Sequence, residues 1–476
     1  MAGWRFWIDR GGTFTDIVAE GPDGEFVIRK LLSVNRERYE DAALEAIRAI
    51  LHENGTEFAR IHEVKLGTTV ATNALLERKG AKVAFAVTKG FADAIEIGQQ
   101  ARANIFALNI IKPDVLYSSV LEVDERILSD GTVERPLDED HVRNALIRAR
   151  NDGFTALAVS LLHGWAFPQH EIQIGAIARE VGFSHVSIGS EVSRLIRFVP
   201  RTDTTLADAY LSPVLDAYIE RFAKPFDPKT RLLFMQSNGG LAELGRFRGR
   251  DAVLSGPAGG VVGMAAAAQA SGFDRALGFD MGGTSTDVSH FAGAFERTKD
   301  SLVAGVRFSR PMLEVHTVAA GGGSICFFDG QRLRVGPESA GSDPGPACYR
   351  RGGPLTVTDC NVFLGRIQPQ FFPSIFGPTF DQSLDHAVVV ERLDQICSEI
   401  LVATGQRMSA QHVAEGFLTI ANLSMAEAIK KISIQRGYDP ADYALVAFGG
   451  AGGQHACAVA EAVGVRTIVL HPLAGV

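Results

Sequence analysis

The sequence lacks the features that mark membrane, secreted and nucleic-acid-binding proteins. It has no run of 18 apolar residues, which a membrane-spanning helix requires. Lys and Arg form no block, and 47 basic against 55 acidic residues give a net charge of −8, which argues against a nucleic-acid partner. The first residues have no basic segment before an apolar core, so no signal peptide is predicted. We therefore expect a cytoplasmic protein without a membrane partner.

The spacing of the cysteines and histidines argues against a disulfide framework and against a zinc site. The five cysteines are odd in number and form no CxxC pair, which favours reduced thiols over a disulfide framework. The twelve histidines show no HxxxH or HxH spacing, so a catalytic zinc site is not indicated. What the chain has in quantity is glycine, 50 residues of 476, and these cluster in loops where we expect the chemistry.

The most informative of these glycine loops occurs twice, once near the start of the chain and once beyond its middle. Asp9–Asp16 (DRGGTFTD) and Asp280–Asp287 (DMGGTSTD) share six of eight positions in the pattern D-x-G-G-T-x-T-D. Apolar, strand-like sequence precedes and follows each copy, which predicts two β-hairpins with glycine turns. Either copy alone is equally well interpreted as a plain hairpin turn, but two copies together favour a shared function.

The residue types of this pattern suit phosphate binding. Glycine allows backbone N–H groups to approach a ligand closely, and such a turn can cradle a phosphate. A carboxylate beside a phosphate would repel it unless a divalent cation lay between them, and Mg²⁺ is held by one or two carboxylates plus phosphate oxygens. The repeat therefore predicts two loops closing on one nucleotide from opposite sides.

Further glycine loops follow predicted strands. Phe448–Gly453 lies between a strand and a helix without the G-x-G-x-x-G fingerprint, and either packs tightly or lies against a nucleoside. Gly321–Ser324 offers Ser324 as a phosphate ligand or as a cap. The Gly-, Pro- and Ser-rich stretch 321–353 is predicted to be an ordered loop region.

Alternating strand and helix patterns place the chain in the α/β class. A boundary is expected near residues 195–203, followed by a long helix over 204–222. This gives two predicted domains, 1–200 with the first hairpin and 201–476 with the second hairpin and the nucleoside loop. The last predicted strand, 467–470, stands so close to Val476 that we expect the chain to be truncated there.

These motifs resemble known proteins at two levels. The double hairpin and the loop Phe448–Gly453 resemble the phosphate and adenosine loops of the actin/hexokinase/Hsp70 ATPase superfamily. Longer strings resemble the hydantoinase A/5-oxoprolinase family, and the 5-oxoprolinase branch most. The strings that carry this resemblance, with their residue numbers, are IDRGGTFTDIV (8–18), LGTTVATNALLERKG (66–80), VLSGPAGGVVG (253–263), GFDMGGTSTDVS (278–289), TVAAGGGS (317–324), VGPESAGSDPGPACY (335–349) and FGGAGGQHA (448–456).

The resemblance implies an actin-like ATPase core with an additional α/β subdomain, and ATP-dependent opening of 5-oxo-L-proline to L-glutamate. ATP would phosphorylate the amide oxygen, and water would then hydrolyse the activated ring. Asp9 and Asp280 are expected to hold Mg²⁺, and Arg102 to bind a substrate carboxylate. The residues expected to contact the nucleotide are Gly11, Gly12, Thr13, Thr15, Gly282, Gly283, Thr284, Thr286, Gly449, Gly450 and Gly453.

Two departures from the family pattern qualify this expectation. Ala103 and Asn104 stand where the family has Pro or Gly followed by Asp, which leaves the choice of substrate open. The family also continues beyond residue 476 and needs a hydantoinase B half, so we expect a B-type partner and a homo- or hetero-oligomer. The alternatives are action on a hydantoin, another lactam or a ketone, a sugar-kinase-like phosphotransferase, and a non-catalytic nucleotide-binding subunit.

Overall fold

The computed structural model describes residues 3–12, 14–33, 35, 38–99, 106, 108–109, 112, 114–377, 379 and 381–475. These residues form two compact units. Unit 1 is drawn from Met1–Gly67, Gly256–Glu296 and Leu313–Val476, and unit 2 from Thr68–Ser255 and Arg297–Met312. The chain therefore leaves unit 1 twice, and unit 2 is the additional α/β subdomain that the sequence predicted. The division of the chain into domains 1–200 and 201–476 remains a prediction.

The strands are β1 (Trp4–Arg10), β2 (Phe14–Glu20), β3 (Phe26–Leu32), β4 (Ile61–Thr68), β5 (Val83–Thr88), β6 (Ser119–Val123), β7 (Arg126–Ile127), β8 (Val133–Arg135), β9 (Ala156–Ser160), β10 (His185–Ile188), β11 (Arg231–Met235), β12 (Leu241–Glu243), β13 (Arg275–Met281), β14 (Thr286–Ala292), β15 (Arg297–Val303), β16 (Val306–Leu313), β17 (His316–Val318), β18 (Ser324–Phe328), β19 (Leu333–Ser339), β20 (Ala444–Phe448) and β21 (Thr467–Val469). The α-helices are α1 (Ala42–Glu53), α2 (Val70–Leu76), α3 (Ala94–Ile97), α4 (Glu139–Asn151), α5 (Gln169–Glu180), α6 (Gly189–Val192), α7 (Phe198–Ala223), α8 (Gly249–Ala252), α9 (Ser255–Ala270), α10 (Val357–Phe363), α11 (His386–Thr404), α12 (Ala410–Ile432) and α13 (Gly452–Val463).

Two of the sheets in unit 1 each contain an antiparallel hairpin that carries one of the glycine turns. In the first, the strands of this unit follow the order β4-β1-β2-β3, with β1, β2 and β3 antiparallel in sequence. In the second, the order is β17-β14-β13-β20-β21, and β20 runs parallel to β13. Both predicted hairpins are confirmed, and the second is joined by the strand that leads into the Phe448–Gly453 loop.

The core of unit 1 lies between the second sheet and the helices that follow it. Phe279 and Met281 of β13 are fully buried in one cluster with Met425 of α12 and Leu445 of β20. At about 25 cal/mol per Å² of apolar surface, each fully buried side chain of this size contributes roughly 2–3 kcal/mol to stability. This packing holds the ends of β13 and β20 in fixed positions, and both ends lead directly into glycine loops.

Unit 2 is organised by a parallel sheet with the order β10-β9-β5-β6. Every residue of β5 (VAFAVT) and of β9 (ALAVS) is buried, as expected for strands covered on both faces. Leu146 of α4 and Ile174 of α5 pack on this sheet. The fold class is therefore α/β, as predicted.

Three local predictions were wrong in detail. The stretch 321–353 contains the hairpin β18–β19, because its strands pair with each other although Pro337 lies within β19. The strands β6–β8 and the pair β15–β16 were missed. The long helix begins at Phe198 rather than Thr204, since Pro200 lies in its first turn, where a proline is tolerated.

Among the described residues, no helix is long and apolar enough to cross a membrane.

Candidate functional site

The two glycine turns have the same internal hydrogen bond. Gly11 N–H donates to Phe14 O at 3.0 Å, and Gly282 N–H donates to Ser285 O at 3.0 Å. The stems also match, because Asp9 pairs with Asp16 across the first hairpin and Asp280 with Asp287 across the second. The repeat seen in the sequence is thus a repeat in three dimensions. Each turn is closed by a facing pair of carboxylates.

The threonines of the two motifs support the turns from inside. Thr15 is fully buried, and its hydroxyl lies 3.0 Å from Ser33 Oγ, which donates to Gly11 O at 2.7 Å. Thr286 is also fully buried and donates to Ala320 O. Both hydroxyls therefore bind other groups of the protein. These two threonines would contribute to ligand binding by shaping the turns.

The predicted nucleoside loop meets the second hairpin. Phe448 and Asp280 are register partners on β20 and β13, and Ala451 N–H donates to Met281 O at 3.0 Å. Gly449 has φ +81°, and a Cβ placed on it would overlap Asp280 Oδ1. Only glycine fits there, because both the backbone angle and the close approach exclude a side chain.

A third glycine segment backs the second turn. Gly322 N–H donates to Gly282 O at 3.0 Å, and Gly323 N–H donates to Gly283 O at 2.6 Å. Ser324 is fully buried and its hydroxyl accepts from Gly321 N–H at 2.9 Å. Of the two roles weighed for Ser324, the structure shows the cap. The carbonyl groups of Gly282 and Gly283 in the second turn thus have hydrogen-bond donors from this segment.

Several predicted contact residues are open to solvent. Gly12, Gly283 and Thr284 at the turns are exposed, as are Gly450 and Gly453 in the third loop. A Cβ on Gly12 or Gly453 would meet no atom within 4 Å, so there is free space beside both loops. Thr13 and Arg102, like Ala103 and Asn104, lie outside the described residues.

Four carboxylates therefore gather with little positive charge to balance them. Burial raises the pKa of Asp9 to about 6, with a further contribution from the charge of Asp16 and an opposing one from Lys30. Asp9 nevertheless keeps an exposed surface, so solvent reaches it. Burial, and then the charges of Asp287, Asp9 and Asp16, raise the pKa of Asp280 well above its usual range. Burial also raises the pKa values of Asp16 and Asp287.

Lys30 is the functional candidate that sequence reasoning missed. Its Nζ lies 2.6 Å from Asp16 Oδ1 and 3.0 Å from Gly475 O, and it also faces the backbone of Gly450. Asp16 and Lys30 are register partners on β2 and β3. The short turn Gly21–Gly24 sets that register, so counting outward from it would have placed Lys30 opposite Asp16.

The described residues contain no group of three or more His, Cys, Asp or Glu side chains that could hold a metal ion. That result excludes an all-protein metal cage in the described part of the chain. It is compatible with Mg²⁺, which usually takes one or two carboxylates and completes its shell with phosphate oxygens and water. The donor set of Asp9 and Asp280, hard oxygens with raised pKa values, fits such an ion.

Nearly the whole chain matches known protein families and relatives. The model described as "Hydantoinase/oxoprolinase" matches residues 201–476, and "Hydantoinase/oxoprolinase N-terminal region" matches residues 5–182. The chain is 44% identical to 5-oxoprolinase 1 of Arabidopsis thaliana, over 99% of this chain and 40% of that protein. It is 36% identical to caprolactamase subunit alpha of Pseudomonas jessenii, over 99% of this chain and 68% of that protein. The chain thus spans less than half the length of the plant relative.

Solved structures give the same result for the fold. The ATP-dependent caprolactamase from Pseudomonas jessenii aligns with a TM-score of 0.80 and 35% identity, covering 99% of this chain and 69% of that one. A nucleotide-free acetone carboxylase aligns with a TM-score of 0.79 and 24% identity, covering 98% and 68%. The second likeness shows a shared fold alone.

Proposed function

The chain belongs to the hydantoinase/oxoprolinase family, and from that premise we propose that it binds Mg·ATP in unit 1 and uses it to open a lactam. The reaction we assign is the hydrolysis of 5-oxo-L-proline to L-glutamate. One observation carries the proposal: two glycine turns with the same hydrogen bond each present a pair of carboxylates, and a third glycine loop touches one of those carboxylates.

The charge of the site supports a bound cation. Carboxylates with raised pKa values are held in a costly arrangement, and a divalent ion would lower that cost by neutralising them. Asp9 and Asp280 would hold Mg²⁺, which would supply positive charge to neutralise the phosphates of the nucleotide. The backbones of the exposed residues Gly12 and Gly283 would face the phosphates, and those of Gly450 and Gly453 would face the nucleoside.

The lactam chemistry follows from the weakness of an amide as an electrophile. The amide oxygen attacks the γ-phosphorus of ATP, and ADP leaves. Water then adds to the activated carbon, and the C–N bond breaks to give an amine and an acyl phosphate. A second water hydrolyses the acyl phosphate to a carboxylate and inorganic phosphate. The protein contributes positioning and charge neutralisation, as in other phosphoryl transfers.

The choice of substrate is the finer part of the proposal. Relatives called 5-oxoprolinase are 44% and 42% identical to this chain, and the caprolactamase relative is 36% identical. Both names describe lactam opening, so a lactam is favoured over a ketone. Another lactam or a hydantoin remains the second candidate, because Ala103 and Asn104 depart from the family pattern.

A partner is part of the proposal. The caprolactamase relative is called a subunit alpha, which implies a further subunit for that protein. We assign this chain a B-type component, either as a separate subunit or as part of a longer protein. The chain supplies nucleotide binding, and turnover requires the B component.

The test measures phosphate and glutamate release together. The chain and a matching B component receive Mg·ATP with and without 5-oxo-L-proline. We expect equal amounts of phosphate and glutamate, abolished by Asp9→Asn and by Asp280→Asn. Asp394→Asn, an exposed aspartate on α11, serves as the matched control and keeps activity.

Other outcomes would redirect the proposal. ATP turnover stimulated by another lactam would keep the mechanism and change the substrate. A stable phosphorylated product would indicate a phosphotransferase. Tight Mg·ATP binding with no turnover on any substrate would make the chain a nucleotide-binding subunit.

A further inference from the structure

One turn of unit 2 is held in a strained conformation at the carboxyl end of β9. His163 has φ +62°, a left-handed angle that a side-chain-bearing residue adopts at a cost of about 1–3 kcal/mol. Such strain persists only where surrounding contacts fix it. The turn Leu161–Trp165, called the histidine turn below, is held by several hydrogen bonds from side chains of other elements.

Two buried side chains of opposite charge hold its first residue. Glu171 Oε1 accepts from Leu161 N–H at 2.8 Å, and Arg201 donates to Leu161 O. Glu171 and Arg201 are both fully buried. Gly164 completes the arrangement, since a Cβ on it would overlap Glu171 Oε1.

A second buried chain of hydrogen bonds holds the next residue. Leu162 N–H donates to Thr88 Oγ1 at 2.9 Å, and Thr88 Oγ1 donates to Glu125 Oε1 at 2.5 Å. Glu125 Oε2 lies 2.8 Å from His170 Nδ1. Burying these groups costs free energy, and three of the bonds that recover it, from Glu171, Arg201 and Thr88, end on Leu161 or Leu162 of the histidine turn.

The result is a histidine with a fixed proton. His163 Nδ1 lies 2.8 Å from Ile127 O. A carbonyl oxygen only accepts, so Nδ1 carries a hydrogen, and in the neutral imidazole this tautomer leaves the lone pair on Nε2. His163 is partly exposed, and Nε2 has no hydrogen-bond partner among the described residues. The imidazole is therefore an acceptor presented from a rigid turn.

Its place in the sheet is one where ligands bind. In the order β10-β9-β5-β6, the chain passes from β5 to β6 on one side and from β9 to β10 on the other. The strand order reverses between β5 and β9, and the crevice outside the carboxyl ends at such a point is the usual ligand position in open α/β sheets. Thr88 ends β5, and the histidine turn follows β9.

A cation is attached to the same turn. Arg194 Nε donates to Trp165 O at 3.3 Å, and Arg194 is exposed. Its remaining guanidinium N–H groups have no partner in the part of the chain that the structure describes. A ring amide with a neighbouring carboxylate would match both groups, because its N–H needs an acceptor and its carboxylate needs a guanidinium.

We propose that the histidine turn of unit 2 is the lactam-binding site, with His163 Nε2 accepting the ring N–H and Arg194 pairing with the carboxylate. The identity of the ligand rests on the proposed function, whereas the acceptor geometry does not. Arg194 takes the role that the sequence suggested for Arg102, which lies outside the described residues.

The experiment compares two ligands of one shape. Calorimetry on the full chain measures binding of 5-oxo-L-proline and of its lactone analogue, which has a ring oxygen in place of N–H. Both titrations are run with and without Mg²⁺ and a non-hydrolysable ATP analogue. We expect the lactam to bind at least ~10-fold more tightly than the lactone, because a site built for an N–H rejects a ligand that lacks it.

Variants of His163 and Arg194 show which residue distinguishes the lactam from the lactone. In His163→Gly the preference falls to within about 2-fold, while the protein remains folded, since the relief of strain at φ +62° offsets the lost hydrogen bond to Ile127 O. His163→Asn, which also tolerates this angle, gives a second folded variant. His141→Gln, an exposed histidine on α4, is the matched control. In Arg194→Gln both ligands weaken equally, because both carry the carboxylate.

Undiminished discrimination in His163→Gly would overturn the inference, as would the absence of lactam binding under both conditions. Binding of the ATP analogue is measured on the same samples and tests the nucleotide site separately. Loss of nucleotide binding with retained lactam discrimination would contradict the proposed function and leave this site standing.

Discussion

The backbone of Gly449 occupies the space beside the carboxylate of Asp280 that any side chain would need. This contact joins the predicted nucleoside loop to the second carboxylate hairpin within one unit. It makes two features that are far apart in the sequence interdependent, and it can be tested directly.

Gly449→Ala should lower both stability and nucleotide affinity. The new Cβ meets Asp280 and must adopt φ +81°, so we expect a loss of roughly 2–4 kcal/mol in the free energy of unfolding. Gly464→Ala is the matched control, because Gly464 has φ +83° and open space around it. Denaturant unfolding and calorimetry with Mg·ATP check both. Equal effects of the two variants would mean that the contact with Asp280 is unimportant.

Asp280→Asn should stabilise the protein and abolish magnesium-dependent nucleotide binding. The raised pKa of Asp280 shows that its charge is unfavourable in the folded state at neutral pH, so removing the charge relieves repulsion from Asp287 and Asp9. We expect a higher melting temperature, by ~1–2 °C for each kcal/mol gained in a chain of this size. Asp394→Asn should change neither property. A lower melting temperature in Asp280→Asn would show that the carboxylate serves the fold.

Lys30→Met should weaken Mg·ATP binding at least ~10-fold, about 1.4 kcal/mol, because it removes the cation nearest to Asp16. Lys30→Arg keeps the charge and should recover part of the affinity, since the guanidinium has a different shape. Lys79→Met, an exposed lysine paired with Glu77 in unit 2, is the control. If Lys30→Met binds Mg·ATP with wild-type affinity, Lys30 serves only as a counter-ion of Asp16.

His455 should make stability fall in mild acid. It is fully buried in the first turn of α13, its Nδ1 lies 2.7 Å from Asn422 Oδ1, and its Nε2 accepts from Asn361. Burial lowers its pKa from 6.5 to about 4. The unfolded chain therefore binds a proton that the folded chain resists. The corresponding stability is complete above pH 6.5 and decreases as the pH falls towards 4, by up to about 3 kcal/mol.

The measurement is urea unfolding of wild type and His455→Gln between pH 4 and pH 7.5. The variant has no titrating group there, so the difference between the two proteins should shrink as the pH falls. His141→Gln should follow the wild-type curve. A difference that stays constant with pH would contradict a lowered pKa for His455.

Local patterns were enough to predict the parts of the site that are local. The motifs at Asp9 and Asp280 specify their own turns through glycine, so both hairpins were found. The same holds for the glycine loop after β20. The continuous apolar runs at 82–88 and 156–162 predict two buried strands beside helical patterns, and the structure has β5 and β9 there.

Features that depend on distant partners were not predictable in this way. The strand β18 needs β19 to satisfy its backbone, and its Gly- and Pro-rich surroundings favour a loop. The contact of Lys30 with Asp16 depends on a register that a hairpin turn fixes between β2 and β3. The convergence of Glu171 and Arg201 on Leu161 joins residues 10 and 40 positions apart, and a single sequence has no pattern that reports it.

The order of strands in unit 1 also determines when the site can exist during synthesis. β20 lies between β13 and β21, yet it leaves the ribosome long after β13, once most of the intervening helices have been made. The strands of the parallel sheet in unit 2 are all made by residue 188. Unit 2 therefore has its complete sheet available for folding while β13 still lacks β20 on one of its edges. A nascent chain must keep that edge of β13 from pairing wrongly until the C-terminal segment appears.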